Sequence, residues 1–477
     1  MHASAKRLSV SEEEPLPEPA PQLTGFRRLR RGGALFGASQ LTGMALGFLS
    51  GMVLVRVATK ADVAFYLLLQ QAIMAVSLVL QLGLGPAALR FAPITRGRGG
   101  ERTTAMLRWR LFVLQIGLWT IVIPILALVW PRIARSMEAP ELARATSLLL
   151  GAAMLISFGH LLDSYLRAFR MYATSAPLTH IVPRGLVLLG FLTLGAVSSG
   201  TVPWELLASI YVGSLFVTEI AYAFALPSTT PEETSEPRTA HAPPGVLEIL
   251  GTSTPMGLRS AASIFYVASS LWILSWASTK EEVAIYGVAA ALVQILSAIP
   301  SMASFVIPQE FSLLHADGRT AEMERLARTA ATFVAALSAT SLVGLLLLGR
   351  PLIRLAYGAD YVGAWGILLV LAIGTLWDTF SGSAGFVLQM TGHHVLLLLF
   401  TLGGGVLNVI LSLTLAPRWG GYGIALASSI TLVAFNVATV SAVRRLVGVR
   451  TFVYLKPSEW IEALRLIGTG REAGEPR

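Results

Sequence analysis

The sequence predicts an all-α integral membrane protein, with about twelve transmembrane helices in two six-helix lobes related by pseudo-two-fold symmetry. Three observations carry that expectation. Of the 477 residues, 54% are hydrophobic and 13% charged, and the mean hydropathy is +0.67; a soluble domain carries about 25% charged residues. The apolar residues gather in runs near the ~20 residues needed to cross a bilayer's hydrocarbon core. Finally, ATKADVAFY at 58–66 returns as STKEEVAIY at 278–286, with five of nine residues identical and an offset of 220, close to half the chain.

The elements follow in order. Residues 1–32 are rich in Pro and Glu and end near the cluster Arg27, Arg28, Arg30 and Arg31. They read as a disordered cytoplasmic tail, because the long span behind them lacks the cleavage pattern of a signal peptide. The first lobe, 33–226, holds spans at roughly 33–57, 62–89, 107–130, 145–168, 177–199 and 203–226. A linker follows at 227–249, opening with PSTTPEETSEPRTAHAPPG, too dense in Pro, Thr and Glu to form a core. The second lobe, 250–447, holds spans at roughly 250–277, 282–308, 327–349, 363–390, 394–416 and 421–446. In the cytoplasmic tail, 448–477, Trp460, Ile461, Leu464 and Ile467 fall on one face of a short interfacial helix.

Charge orients the chain. With the N-terminus inside, the tails and inner loops with their flanking turns hold 25 Lys and Arg, against eight in the opposite loops. Basic residues beside short loops stay cytoplasmic, so both termini are expected inside. The net charge of +9 does not point to nucleic acid, because the arginines lie between apolar spans rather than on one basic face. The chain has no cysteine, which excludes disulfides, thiolate metal sites and cysteine nucleophiles.

In this topology both copies of the repeat occupy the outer turn between the first two helices of a lobe. Phe91 and Phe311, again 220 apart, fall near the inner end of each second helix. Six spans return the chain to the side it started from, so the lobes have equal orientation. Parallel repeats of this kind occur in transporters that bind cargo between their halves. The chain contains no GxxxxGK[ST], HExxH or GxSxG pattern, so neither ATP hydrolysis nor another enzyme activity is expected of it.

Three stretches carry a family resemblance: VRVATKADVAFY with LGLGPAALRFA, GRPLIRLAYGADYVGAW at 349–365, and LNVILSLTLAPRWGGYGIALASSI at 407–430 with Asn408, Pro417, Gly420, Gly423 and Ala425. Together they resemble bacterial polysaccharide and O-antigen flippases of the multidrug/oligosaccharidyl-lipid/polysaccharide exporter superfamily, over about residues 33–447. The resemblance implies two lobes around a central cavity in the bacterial inner membrane. The cargo it implies is an undecaprenyl-diphosphate-linked oligosaccharide, moved from inner to outer leaflet for O-antigen, capsule or exopolysaccharide synthesis. Glycan polymerase and glycosyltransferases of that pathway are the implied partners. The alternatives are a cation-coupled multidrug exporter of the same superfamily and a membrane glycan polymerase or ligase; the short outer loops disfavour the latter.

Ionisable side chains inside spans are costly and mark functional sites. A flippase needs cations for the phosphates, and arginine's planar fork suits them. Arg184 in span five and Arg259 in span seven lie at similar depth in different lobes and are the first candidates for binding the diphosphate. His160, Asp163 and Arg167 share one face of span four, with Asp163 and Arg167 also spaced for an intrahelical ion pair. Glu219 in span six and Asp378 in span ten have no sequence-local partner and are candidates, with Asp163, for balancing charge or coupling H+ or Na+. No cofactor or bound metal is expected. Relatives often carry a carboxylate in mid span seven, where this chain has Ser269 and Ser270. Gly43, Gly47 and Gly51 make two GxxxG steps that permit close helix packing, and Pro300 and Pro308 are expected to bend span eight.

Overall fold

A computed structural model describes residues 22–454, 456 and 460, apart from 137–139, 170, 199, 227–243, 304–310, 312–313 and 315–317. Most of the tails, most of the linker, Pro308 and the expected interfacial helix beyond Trp460 therefore lie outside the described residues, as do the side chains of Arg259 and Pro300. Among the described residues the chain is helical, without strands. The helices are α1 (Gln22–Val57), α2 (Lys60–Gln81), α3 (Leu84–Ser136), α4 (Pro140–Arg144), α5 (Thr146–Ala168), α6 (Tyr172–His180), α7 (Val182–Val197), α8 (Trp204–Ala225), α9 (Val246–Ala277), α10 (Lys280–Ala303), α11 (Thr320–Tyr357), α12 (Ala364–Ser381), α13 (Ala384–Met390) and α14 (His394–Leu446).

Two of these helices are each a pair of spans. A straight α3 would place Gln115 about 45 Å beyond Leu84 at ~1.5 Å per residue, yet the Gln115 amide donates to the carbonyl of Leu80. Leu84, Ala88 and Phe91 also share a buried cluster with Leu107 and Leu111. The chain therefore doubles back between these arms. In α14 the reversal sits at Gly420, with φ 52° and ψ −129°, just after Pro417. Nine helical stretches among the described residues are long and apolar enough to cross a membrane, one of them the doubled 395–446, and α9 and α10 supply the counterparts of spans seven and eight.

Three expected spans are interrupted. Span two breaks at Leu82 and Gly83, both with positive φ. A Cβ on Gly83 would strike the Ser253 carbonyl of α9, and one on Gly257 would strike the backbone of Leu82. The break lets two backbones from different lobes cross in contact, which only glycine allows. Span five divides into α6 and α7 at Ile181, with Pro183 in the first turn of α7. Span ten divides at Gly382, φ 69°, where the segment after α14 lies against the chain. Span nine extends in both directions, because EMERLAR and RPLIRLAY continue the same helix.

The sequence repeat is a structural repeat. Thr59 caps α2 by accepting from the backbone N–H of Asp62, and Thr279 accepts from that of Glu282. Val63, Ala64 and Tyr66, and their counterparts Val283, Ala284 and Tyr286, are all buried. Phe91 and Phe311 are buried as well. The acids differ from the rest by reaching across their own lobe. Asp62 Oδ1 accepts from the backbone N–H of Trp204, the first residue of α8, at 3.1 Å, and the Glu282 carboxylate lies against Gly420, where the second arm of α14 begins. Each acid thus sits where the second and sixth spans of its lobe begin, with a hydrogen bond in the first lobe and a close approach to Gly420 in the second.

The GxxxG steps pack α1 on α6, α7 and α11. A Cβ on Gly43 would strike the His180 carbonyl, one on Gly47 would meet Arg184 Cδ at an ordinary 3.6 Å, and Gly51 faces the Tyr357 hydroxyl.

Candidate functional site

The ionisable residues described inside the N-lobe converge where α5, α6, α7 and α8 meet. Asp163 is at the centre. Its Oδ2 pairs with Arg167 at 2.6 Å, one turn along α5. Its Oδ1 accepts from Ser175 Oγ at 2.5 Å and from Thr179 Oγ1 at 2.8 Å, both on α6. The Tyr222 hydroxyl of α8 stands 2.7 Å from Thr179 Oγ1, completing a chain of hydroxyls that ends on the carboxylate. The expected intrahelical ion pair is present, and three hydroxyls stabilise its anionic half in a setting where an unpaired charge would be costly.

Glu219 lies beside this network on α8. Its side chain is 9% exposed, its carboxyl group packs against Gly159 of α5, and Oε2 has no hydrogen-bond partner. His160 is half-buried on α5, within electrostatic reach of Asp163 and Arg167. His180, at the end of α6, presents a buried Nε2 with no hydrogen-bond partner and meets the Phe36 ring edge-on at 4.9 Å.

Arg184 sits on α7 one turn beyond the α6–α7 break. Its Nη1 donates to the His180 carbonyl at 3.0 Å, its stem lies over Gly47, and Tyr211 of α8 is close by. Among the described residues it joins no ion pair. The break at Ile181 shapes this arrangement. Pro183 has no N–H to donate to the Thr179 carbonyl, so the helix is interrupted there, and the Arg184 guanidinium takes the neighbouring His180 carbonyl.

The C-lobe interior is of a different kind. Asp378 on α12 accepts from the Asn436 amide of α14 at 2.9 Å, so the residue without a sequence-local partner has one 58 positions away. Tyr286 hydrogen-bonds Ser428 and Ser270, and the Asn408 amide donates to Ser270 Oγ at 3.3 Å. Ser270, one of the two serines at the span-seven positions, thus joins a neutral hydroxyl–amide network. Arg259 belongs to α9, and its side chain lies outside the described residues, so its pairing with Arg184 stays an expectation. No group of three or more His, Cys, Asp or Glu side chains suited to a metal ion occurs among the described residues.

Sequence reasoning missed Ser175, Thr179, Tyr222 and His180. Their one readable signal is that Ser175, Thr179 and His180 belong to the same short helix, opposite the acid of span four.

With this geometry in place, comparison with known proteins identifies the family. A model of the family described as polysaccharide biosynthesis protein matches residues 29–309. The chain belongs to that family. No curated protein matches it. Among solved structures it is similar to an inward-facing multidrug resistance MATE family transporter of the MOP superfamily, at 18% identity and TM-score 0.69, covering 85% of this chain and 94% of that one. It is similar to the lipid II flippase MurJ in an inward closed conformation, at 14% identity and TM-score 0.68, covering 93% and 94%. A MOP superfamily transporter from Pyrococcus furiosus, described as having a binding pocket of reverse polarity, matches at 16% identity and TM-score 0.63, covering 90% and 99%. At these identities the likeness shows the fold: this polysaccharide biosynthesis family member is a two-lobed, multi-pass membrane protein with the same fold as these transporters.

Proposed function

We propose that the protein flips a lipid-diphosphate-linked oligosaccharide, with undecaprenyl diphosphate as carrier, from the inner to the outer leaflet for surface polysaccharide synthesis. One observation supports the cargo's charge. Arg184 places a permanently charged guanidinium inside the N-lobe with a backbone carbonyl as its hydrogen-bond acceptor and no described carboxylate beside it. Arg167, by contrast, is neutralised by Asp163. A cation held inside a membrane protein without a counter-ion attracts an anionic ligand, and a diphosphate matches the guanidinium fork.

In this reading the lobes 33–226 and 250–447 alternate about the linker 227–249, and both termini face the cytoplasm of a bacterial inner membrane. Arg259 meets the diphosphate from the C-lobe as Arg184 does from the N-lobe, with His160 and Arg167 nearer the inner mouth. Glu219 is the group best placed to exchange a proton during the cycle, and Asp378 is a second site for H+ or Na+. The polymerase and glycosyltransferases that make and use the cargo are its functional partners.

A second reading, export of cationic drugs, is favoured by Glu219, whose buried Oε2 has no hydrogen-bond partner. Deleting the gene in its own host separates the two. Accumulation of complete lipid-linked repeat units on the inner leaflet with loss of surface glycan supports the flippase. Unchanged glycan with increased drug sensitivity overturns it. Lipid-linked units that reach the outer leaflet but stay unpolymerised would overturn it in favour of an enzyme.

A further inference from the structure

The two lysines of the repeat do the same thing in opposite directions. Lys60, at the start of α2, reaches the C-lobe: its Nζ is 3.9 Å from Asp360 Oδ2 and 5.9 Å from the centre of the Tyr361 ring. Lys280, at the start of α10, reaches the N-lobe: its Nζ is 5.8 Å from the centre of the Phe65 ring on α2, and it donates to Ser275 Oγ at 2.6 Å. Each cation thus covers an aromatic face belonging to the other lobe. Burial, helped by Asp360, pushes the Tyr361 hydroxyl up to about 12, so Lys60 covers a neutral phenol.

These contacts sit on one seam. Arg56 donates to the Leu355 carbonyl at 3.2 Å, the Tyr357 hydroxyl lies against Gly51, and Leu67 of α2 packs on Gly287 of α10. Beneath them a single buried cluster spans both lobes, joining Leu54, Val63 and Tyr66 to Tyr286, Tyr357 and Tyr361. The seam is therefore closed on the face that carries the repeat. The polar contacts above the cluster are weak individually: Lys60 is 31% and Asp360 78% exposed, and exposed pairs contribute little. A contact meant to release on every cycle needs that quality, together with a geometry found only when the lobes are apposed.

We propose that Lys60 and Lys280 form a reciprocal latch that holds the lobes together on the repeat face and releases each time that face opens. The role in a cycle rests on the transport reading above; the latch itself does not. The apolar cluster supplies the closing force, while the paired lysines fix the register in which the lobes meet, because each cation–ring contact requires the two turns to be opposed.

The test uses the full-length protein in vesicles. Its lack of cysteine lets thiol pairs be introduced without other changes. Spin labels at Ala58→Cys and Ala359→Cys flank the seam and leave Lys60 and Asp360 in place. One short distance population is expected. Lys60→Glu should move at least half of it to longer distances, and Lys60→Glu with Asp360→Lys should return it. Separately, a cleavable bis-thiosulfonate reagent joining Lys60→Cys to Asp360→Cys should cut flipping of a fluorescent undecaprenyl-diphosphate disaccharide at least tenfold, with reduction restoring it. An unchanged distance distribution in Lys60→Glu overturns the latch, whatever the cargo is. Normal flipping by the cross-linked protein overturns its part in the cycle.

Discussion

Asp62 Oδ1 accepts the backbone N–H of Trp204 at 3.1 Å, joining the start of the second span to the start of the sixth. The N-terminal N–H groups of a helix lack intrahelical partners, and a carboxylate there satisfies one while opposing the positive end of the dipole. Because Glu282 also lies against the start of its lobe's sixth span, at Gly420, the recurring acid is explained by architecture rather than by cargo. Asp62→Ala is expected to lower stability by about 1 kcal/mol, seen as a lower unfolding midpoint in detergent, with flipping per folded molecule unchanged. Gly420→Ala should cost more, because it combines a positive φ with a collision against Glu282.

The GxxxG steps give a paired prediction from neighbouring positions. Gly43→Ala drives a methyl into the His180 carbonyl, which cannot yield without moving α6, and should sharply reduce folded protein. Gly47→Ala meets Arg184 Cδ at ordinary contact distance and should be tolerated. Fluorescence size-exclusion chromatography of both variants checks this; equal behaviour would contradict the packing described.

The Asp163 network predicts an order of severity. Asp163→Ala strands Arg167 and removes the acceptor of Ser175 and Thr179, so it should approach the roughly 3–5 kcal/mol lost when one half of a buried pair is removed. Arg167→Met leaves the carboxylate with its hydroxyl donors and should cost less. Thermal unfolding of the two variants and of the double substitution reads the order directly, and the double should be milder than the sum of the singles.

Glu219→Gln should fold as well as the parent, since a neutral amide replaces a carboxyl group whose Oε2 has no partner. If Glu219 exchanges a proton during transport, the variant's flipping loses its response to an imposed pH gradient while its binding of cargo persists. Retention of that response would assign the proton elsewhere, with Asp378 next to test.

Legibility followed sequence distance. Apolar runs and the repeated TK…V…Y pattern are read over short stretches, and they announced the helical spans and the duplicated turn. The Asp163–Arg167 pair was also readable, because i, i+4 spacing on a helix leaves little freedom. Ser175, Thr179 and Tyr222 were not: they lie 12 to 59 positions from Asp163 and look like ordinary small polar residues of a span. Asn436 was hidden from Asp378 for the same reason. The breaks at Gly83 and Gly382 were invisible because glycine is common inside apolar spans, and only the approach of another backbone gives these two a purpose.

The most direct test of the account concerns Arg184 and the sign of its cargo. The purified protein would be reconstituted in lipid vesicles carrying a fluorescent undecaprenyl-diphosphate disaccharide on one leaflet, and its appearance on the other timed for the parent, Arg184→Lys and Arg184→Gln. The account predicts transfer by the parent, partial loss in Arg184→Lys, and at least a tenfold loss in Arg184→Gln at equal folded protein. Transfer at the parental rate by Arg184→Gln would contradict it.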